Sequence, residues 1–264
     1  MGRDTERFWN SQFDTTAAIP DFAAWQDRHE ALSARADAFG APQRIPTGPH
    51  DAQVVWRSRL GRPTHALVFI HGGGWKSGCA DDFAFAAETA AASDATFYNI
   101  DYRLMPSARM PDLVEDVVNA CQIVMTEADT VLLTGHSAGA HLALEASARL
   151  SDPPLAIVAI SGIYDLDPLR YAPMQDELHL TEREVLDYSP QRHAGDIRCP
   201  VHLRTGADET FEFRRQAARM YDAVDAAGGT ATIEFTENHH HSSLVAELAD
   251  DNSVLSHLIQ NLLA

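Results

Sequence analysis

The stretch TVLLTGHSAGAHLALEA, residues 130–146, changes its periodicity at its middle. Its first four residues are a short apolar, partly β-branched run, which predicts a buried strand. From Ser137 onward, small and apolar residues recur at helical spacing, which predicts a helix. A serine at the joint of a strand and a helix, with Gly135 and Gly139 each two places away, predicts a sharp turn that projects the hydroxyl. Such a turn crowds the positions two residues to either side, so those positions must lack side chains. The N-terminus of the helix behind Ser137 would also offer free N–H groups to a developing anion. The plainer role for Ser137 is an ordinary helix N-cap.

Outward from this joint the chain alternates. QVVWRSR, ALVFI, TFYNID, TVLLTG, LAIVAIS, PVHLRTG and TIEFTE read as strands. DFAFAAETAAAS, PDLVEDVVNACQIVMTEA, SAGAHLALEASARL, EFRRQAARMYDAVDAAG and the C-terminal run read as helices. Short buried strands separated by helices predict an α/β fold, a mainly parallel central sheet covered on both faces. With 264 residues and no internal repeat, one domain is expected. Residues 1–50 form an N-terminal extension. In it Phe22, Trp25, His29 and Leu32 are spaced as one helix face behind Asp21, a candidate cap, and GAPQRIPTGPH at 40–50 reads as loop. The stretch 164–195 breaks the alternation longest and is expected to form a small lid over the carboxyl edge of the sheet.

Composition narrows the partners. The net charge of −18 argues against nucleic acid, whose phosphates would be repelled. No apolar run reaches membrane-spanning length, and the polar start MGRDTERFWNSQFD lacks a signal-peptide core. MGRDTE fits a myristoylation pattern only in part, since Glu6 stands where Ser or Thr is wanted. Cys79, Cys121 and Cys199 have no framework spacing and read as buried, inert thiols of a reducing compartment. A cytoplasmic protein acting on a small molecule, off the membrane, is expected, and the sequence leaves a homodimer open.

HGGGW, residues 71–75, follows the strand ALVFI directly. Glycines there would let the N–H groups of Gly73 and Gly74 approach a substrate oxygen, with the Ala138 N–H as a third donor. His71 would hold this loop by a hydrogen bond. No Lys-Ser/Thr pair follows in Walker spacing, which sets aside a phosphate loop.

HGGGW, DYRLMP, GHSAGAHLA and SGIYDL, in this order, resemble the α/β-hydrolase superfamily near the hormone-sensitive-lipase-like esterases. QFDTTAAIPDFAAW, SGIYDLDPLR and EFRRQA are similar to the arylformamidase (kynurenine formamidase) branch, so the likeness runs over nearly the whole chain. The resemblance implies an α/β-hydrolase fold and a serine, acid, histidine order of functional residues. Two positions depart from the branch. Gly74 stands where it usually has tyrosine, and HHHSS stands where it usually reads Asn-His-Phe-Ser.

For the acid, VHLRTGADETFEF offers Asp208 and Glu209. The family pattern falls on Glu209, while Asp208 is the commoner residue type for the role. For the base, the family phrase selects His241 among His239, His240 and His241. Three adjacent residues on an extended segment point to opposite faces, which disfavours a metal site. The expected chemistry is attack by Ser137 on an N-formyl or acyl carbonyl, with proton transfer through His241 and no cofactor. Trp75, Tyr102 and Tyr164 are candidates to line an aromatic substrate pocket, or else plain core. The competing expectations are a small-acyl carboxylesterase, which Gly74 and Ser242 would suit, and a ligand-binding relative without catalysis.

Overall fold

The computed structural model describes residues 3–264. Gly2, on which the partial myristoylation pattern turns, lies outside them. The N-terminal extension forms helices α1 (Arg3–Phe13), α2 (Thr15–Ala18) and α3 (Phe22–Ala34). The sheet follows, with β1 (Gln43–Pro46), β2 (Val54–Ser58), β3 (Arg62–Ile70), β4 (Ala95–Asp101), β5 (Thr130–His136), β6 (Ala156–Ile160), β7 (Val201–Gly206) and β8 (Ala231–Thr236). Among these run α4 (Ala87–Ala92), α5 (Met110–Glu127), α6 (Ala138–Arg149), α7 (Gln175–Leu178), α8 (Glu182–Asp187) and α9 (Phe211–Ala226). The chain closes with α10 (His241–Val245) and α11 (Val254–Leu263).

The strands form one eight-stranded sheet in the order β1-β2-β4-β3-β5-β6-β7-β8. From β4 to β8 every neighbour is parallel, and β1 and β2 add antiparallel pairs at one edge. The expectation of loop at 40–50 is therefore corrected, because Gln43–Pro46 pairs with β2. Proline is tolerated there since an edge strand leaves some of its N–H positions unused.

The two-residue period of β3 sorts its side chains into two cores. Ala66, Val68 and Ile70 pack with α5 and α6 on one face, through Leu113, Val117, Leu142 and Ala146. Leu67 and Phe69 pack on the other with Phe85, Ala90, Ile259 and Leu263. A strand buried on both faces needs a continuous apolar run, which ALVFI supplies.

The spacing of Phe22, Trp25, His29 and Leu32 does form a helix, α3, which lies against residues 80–86, but Asp21 makes no side-chain cap bond and has a left-handed backbone, φ 53°. The three cysteines are free thiols. Cys121 and Cys199 are buried, but Cys79 is exposed, which corrects the expectation for that residue. It sits in the polar turn after the glycine loop, where no strand or helix covers it.

Candidate active site

Ser137 occupies the joint between β5 and α6 with φ 55° and ψ −118°, a left-handed conformation rare for a side-chain-bearing residue. Its hydroxyl makes no cap hydrogen bond, so the plain N-cap role does not describe it. The flanking glycines are required by contact. A Cβ on Gly135 would lie 2.3 Å from the Gly139 carbonyl oxygen, and one on Gly139 would lie 2.0 Å from that of Ile70. Turn, helix and the end of β3 are thereby packed backbone on backbone, with the serine at the apex.

The loop after β3 wraps this apex. A Cβ on Gly72 would lie 2.9 Å from Nδ1 of His136 and 3.3 Å from Cβ of Ser137. Gly73 and Gly74 have φ of 109° and 59°, which glycine adopts freely. Among the described residues, none accepts a hydrogen bond from the N–H of Gly73, Gly74 or Ala138. His71 is buried and its Nδ1–H donates to the Gly72 carbonyl at 2.7 Å. Burial holds its pKa below the ordinary value, so the ring is neutral.

The turn after β7 settles which carboxylate meets the histidine. Glu209 is buried, while Asp208 is exposed and keeps only its backbone in the turn. Nδ1–H of His241 donates to Oε2 of Glu209 at 2.8 Å. The other carboxylate oxygen accepts from the Ser161 hydroxyl at 2.6 Å and the Gly206 N–H at 2.7 Å. Ser161 is fully buried with φ 52°, a second strained non-glycine residue at the sheet's carboxyl edge. Nothing in its residue type pointed to this position. SGIYDL marks the segment as a landmark, and the hydrogen bond emerges only from the folded geometry.

The three consecutive histidines diverge. The His239 ring lies 3.0 Å from a Glu247 carboxylate oxygen, the His240 ring packs edge-on to Trp25 at 4.9 Å, and the His241 ring meets Glu209. The His136 ring lies tilted against that of His241, 4.5 Å between ring centres, and donates through Nε2–H to the His241 carbonyl at 3.0 Å. Burial, reinforced by the neighbouring His241 and His29 rings, holds the His136 pKa well below its ordinary value.

Ser137, His241 and the glycine loop face one cavity of 1470 Å³. Its wall includes Phe13, Trp25 and His29 from the N-terminal helices, Met174 and Glu177 from the 164–195 segment, and Phe213 of α9. The roof thus comes from two stretches of chain. Lys76, the one lysine, ties the glycine loop to that roof by an ion pair with Glu177 at 2.7 Å.

The three aromatic candidates lie elsewhere, and that expectation is corrected. Trp75 is fully buried, donating through Nε1–H to Nδ1 of His141 at 3.2 Å. Tyr102 stacks on His71 and donates its hydroxyl to the His71 carbonyl at 2.9 Å, while Tyr164 is fully buried under Gly162. Each has a polar tip that must be accommodated inside, and they brace the loops from beneath. The aromatic residues that do line the cavity include Phe13, Trp25 and Phe213.

Comparison with known proteins places this geometry in a family. A family model described as alpha/beta hydrolase fold matches residues 67–203, from the middle of β3 into β7. The kynurenine formamidase of Danio rerio is 27% identical over 207 residues, covering 73% of this chain and 71% of the relative. That of Meyerozyma guilliermondii is 30% identical over 205 residues, covering 68% and 79%. A solved structure from a Silicibacter species superposes with a TM-score of 0.88 at 23% identity, covering 95% of this chain and 98% of that one. With its strand–serine–helix joint, its parallel sheet and these relatives, the chain belongs to the α/β-hydrolase fold family, on the branch that holds the kynurenine formamidases.

Proposed function

We propose that the protein is a serine hydrolase that cleaves the formyl amide of an N-formyl aryl amine such as N-formylkynurenine. The observation that carries this reading is that His241, held by Glu209 at 2.8 Å, lines the same cavity as a strained Ser137. The carboxylate fixes the imidazole with its proton on Nδ1, which leaves Nε2 free to accept the Ser137 proton. The alkoxide then attacks the formyl carbon. The N–H groups of Gly73, Gly74 and Ala138 receive the oxyanion, each important donor contributing roughly 3–4 kcal/mol. The imidazolium, stabilised by Glu209, protonates the departing amine, and water deacylates the serine to release formate. An aryl amine leaves readily because its nitrogen is a weak base. The kynurenine formamidase names of the relatives support the formamide as substrate.

Gly74 favours a second reading, a small-acyl carboxylesterase. A Cβ there would meet nothing closer than Met174 at 3.7 Å, so the space beside the glycine loop is open to a larger acyl group. Turnover of N-formylkynurenine measured against p-nitrophenyl acetate separates the two. A higher kcat/KM on the formamide is expected, and negligible formamide cleavage with ready ester cleavage would establish the esterase. Ser137→Ala should abolish turnover of both, and hydrolysis retained in that variant would end the serine-hydrolase reading.

A further inference from the structure

The loop that presents His241 leaves the sheet when β8 ends at Thr236, so something other than strand pairing must hold its backbone. The Asp208 N–H donates to the His239 carbonyl at 3.0 Å, and two imidazoles hold the carbonyls that follow. His136, beside the nucleophile, donates to the His241 carbonyl, and His29 of α3 donates through Nε2–H to the Ser242 carbonyl at 2.9 Å. A carbonyl only accepts, so Nε2 of His29 carries the proton. Burial lowers the His29 pKa, which keeps the ring in its neutral, donating form.

The His29 ring is itself fixed by aromatic packing, 5.4 Å from Phe85 and 6.2 Å from Phe83. One turn earlier on the same helix, Trp25 sets its edge against His240 at 4.9 Å. Two residues of one helix therefore touch His240 and Ser242, the neighbours of His241 on either side. Helix α3 pairs with no strand, and the family match begins only at residue 67. The grip comes from outside residues 67–203, the span of the α/β-hydrolase family model.

We propose that His29 is a positioning residue, which through its bond to Ser242 sets the height of the His241 ring over Ser137 and makes helix α3 part of the catalytic apparatus. The inference rests on His241 acting as the base. A displacement of about 1 Å in such a group can cost as much as a hundredfold in rate.

The test uses the full chain with His29→Ala and His29→Gln. Turnover of N-formylkynurenine and of p-nitrophenyl acetate is divided by the number of sites that a fluorophosphonate titrates, so that unfolded protein drops out. The rate of fluorophosphonate labelling supplies a readout that needs no substrate. For His29→Ala, kcat and the labelling rate should fall together, each roughly tenfold. His29→Gln, whose amide N–H can donate to the same carbonyl, should recover most of the loss. Unchanged kcat per titrated site, a rise in KM alone, or equal losses in both variants would overturn the proposal. Activity surviving in Ser137→Ala would instead defeat the serine-hydrolase reading itself, whereas an inert Ser137→Ala beside an unaffected His29→Ala defeats only the role of His29.

Discussion

At the scale of single residues, the site is a set of side chains whose second contacts decide what the first can do. Glu209 illustrates this. One carboxylate oxygen holds His241, and the other is held by Ser161 and the Gly206 N–H. Ser161→Ala removes a buried hydroxyl donor from a charged acceptor, an interaction of about 1.5–3 kcal/mol. The carboxylate is then free to rotate off the imidazole. The expected outcome is a fall in kcat/KM of roughly tenfold or more, with the fluorophosphonate titre retained. An unchanged kcat/KM would show that the Gly206 N–H suffices to orient the acid. Ser137 stood out through its flanking glycines and the strand–helix joint, whereas His241 was singled out from its two histidine neighbours only by the resemblance to the family phrase. Asp208 and Glu209 stayed open because adjacent residues in a turn differ only in direction, and direction is set by backbone that no motif records. The aromatic candidates misled for a related reason. Trp75 ends the glycine loop and Tyr102 follows β4, yet both are fully buried, and the aromatic lining of the cavity includes Phe13, Trp25 and Phe213, remote from them in the chain.

At the scale of elements, the strand–turn–helix joint was the most legible part of the molecule, because its glycines answer a steric demand that any such turn imposes. The two demands differ in kind and can be told apart. A Cβ on Gly139 would sit 2.0 Å from the Ile70 carbonyl oxygen and 2.5 Å from that of His71, both backbone atoms that cannot step aside. Gly139→Ala must push α6 away from the end of β3, and a loss of about 2–3 kcal/mol or failure to fold is expected. Gly74 has open space around it, and only its left-handed φ of 59° resists a side chain. Gly74→Ala should cost about 1 kcal/mol and leave the fold intact. Urea midpoints of the two variants check this, and equal destabilisation would contradict it. The elements that sequence reading missed lacked such a demand. Strand β1 carries two prolines in or beside it and is a sheet edge, so its residues show neither the apolar run nor the alternation of a buried strand. The 164–195 stretch stood out as an interruption of the alternation, and some of its residues line the cavity, but the N-terminal helices that line it too could be placed only by the contacts of Trp25 and His29 across the chain.

At the scale of the whole molecule, histidine burial couples stability to pH. His29, His71, His136, His141, His202 and His240 all have pKa values lowered, with desolvation the largest cause in each. Where a histidine's folded pKa lies below its unfolded value near 6.5, the unfolded chain binds more protons as the pH falls past that value. Stability is therefore full above about pH 7 and declines as the medium is acidified toward the folded pKa. His136 is the extreme case, 5% exposed and with no hydrogen-bond partner at Nδ1 among the described residues. One pH unit below the unfolded value, a ring kept neutral costs about 1.4 kcal/mol. The acidic surface pulls the other way, since a net charge of −18 is relieved as protons bind. The difference between two chains with the same surface isolates the buried ring. His136→Gln keeps an N–H that can reach the His241 carbonyl but has nothing to titrate. Unfolding free energies measured in urea at pH 7.5 and 5.5 should fall more steeply for the wild type than for His136→Gln, by about 1 kcal/mol over the interval. Equal slopes would mean that His136 takes up its proton in the folded state, which would put a cation 4.5 Å from the His241 ring and make a base at that position untenable below neutral pH.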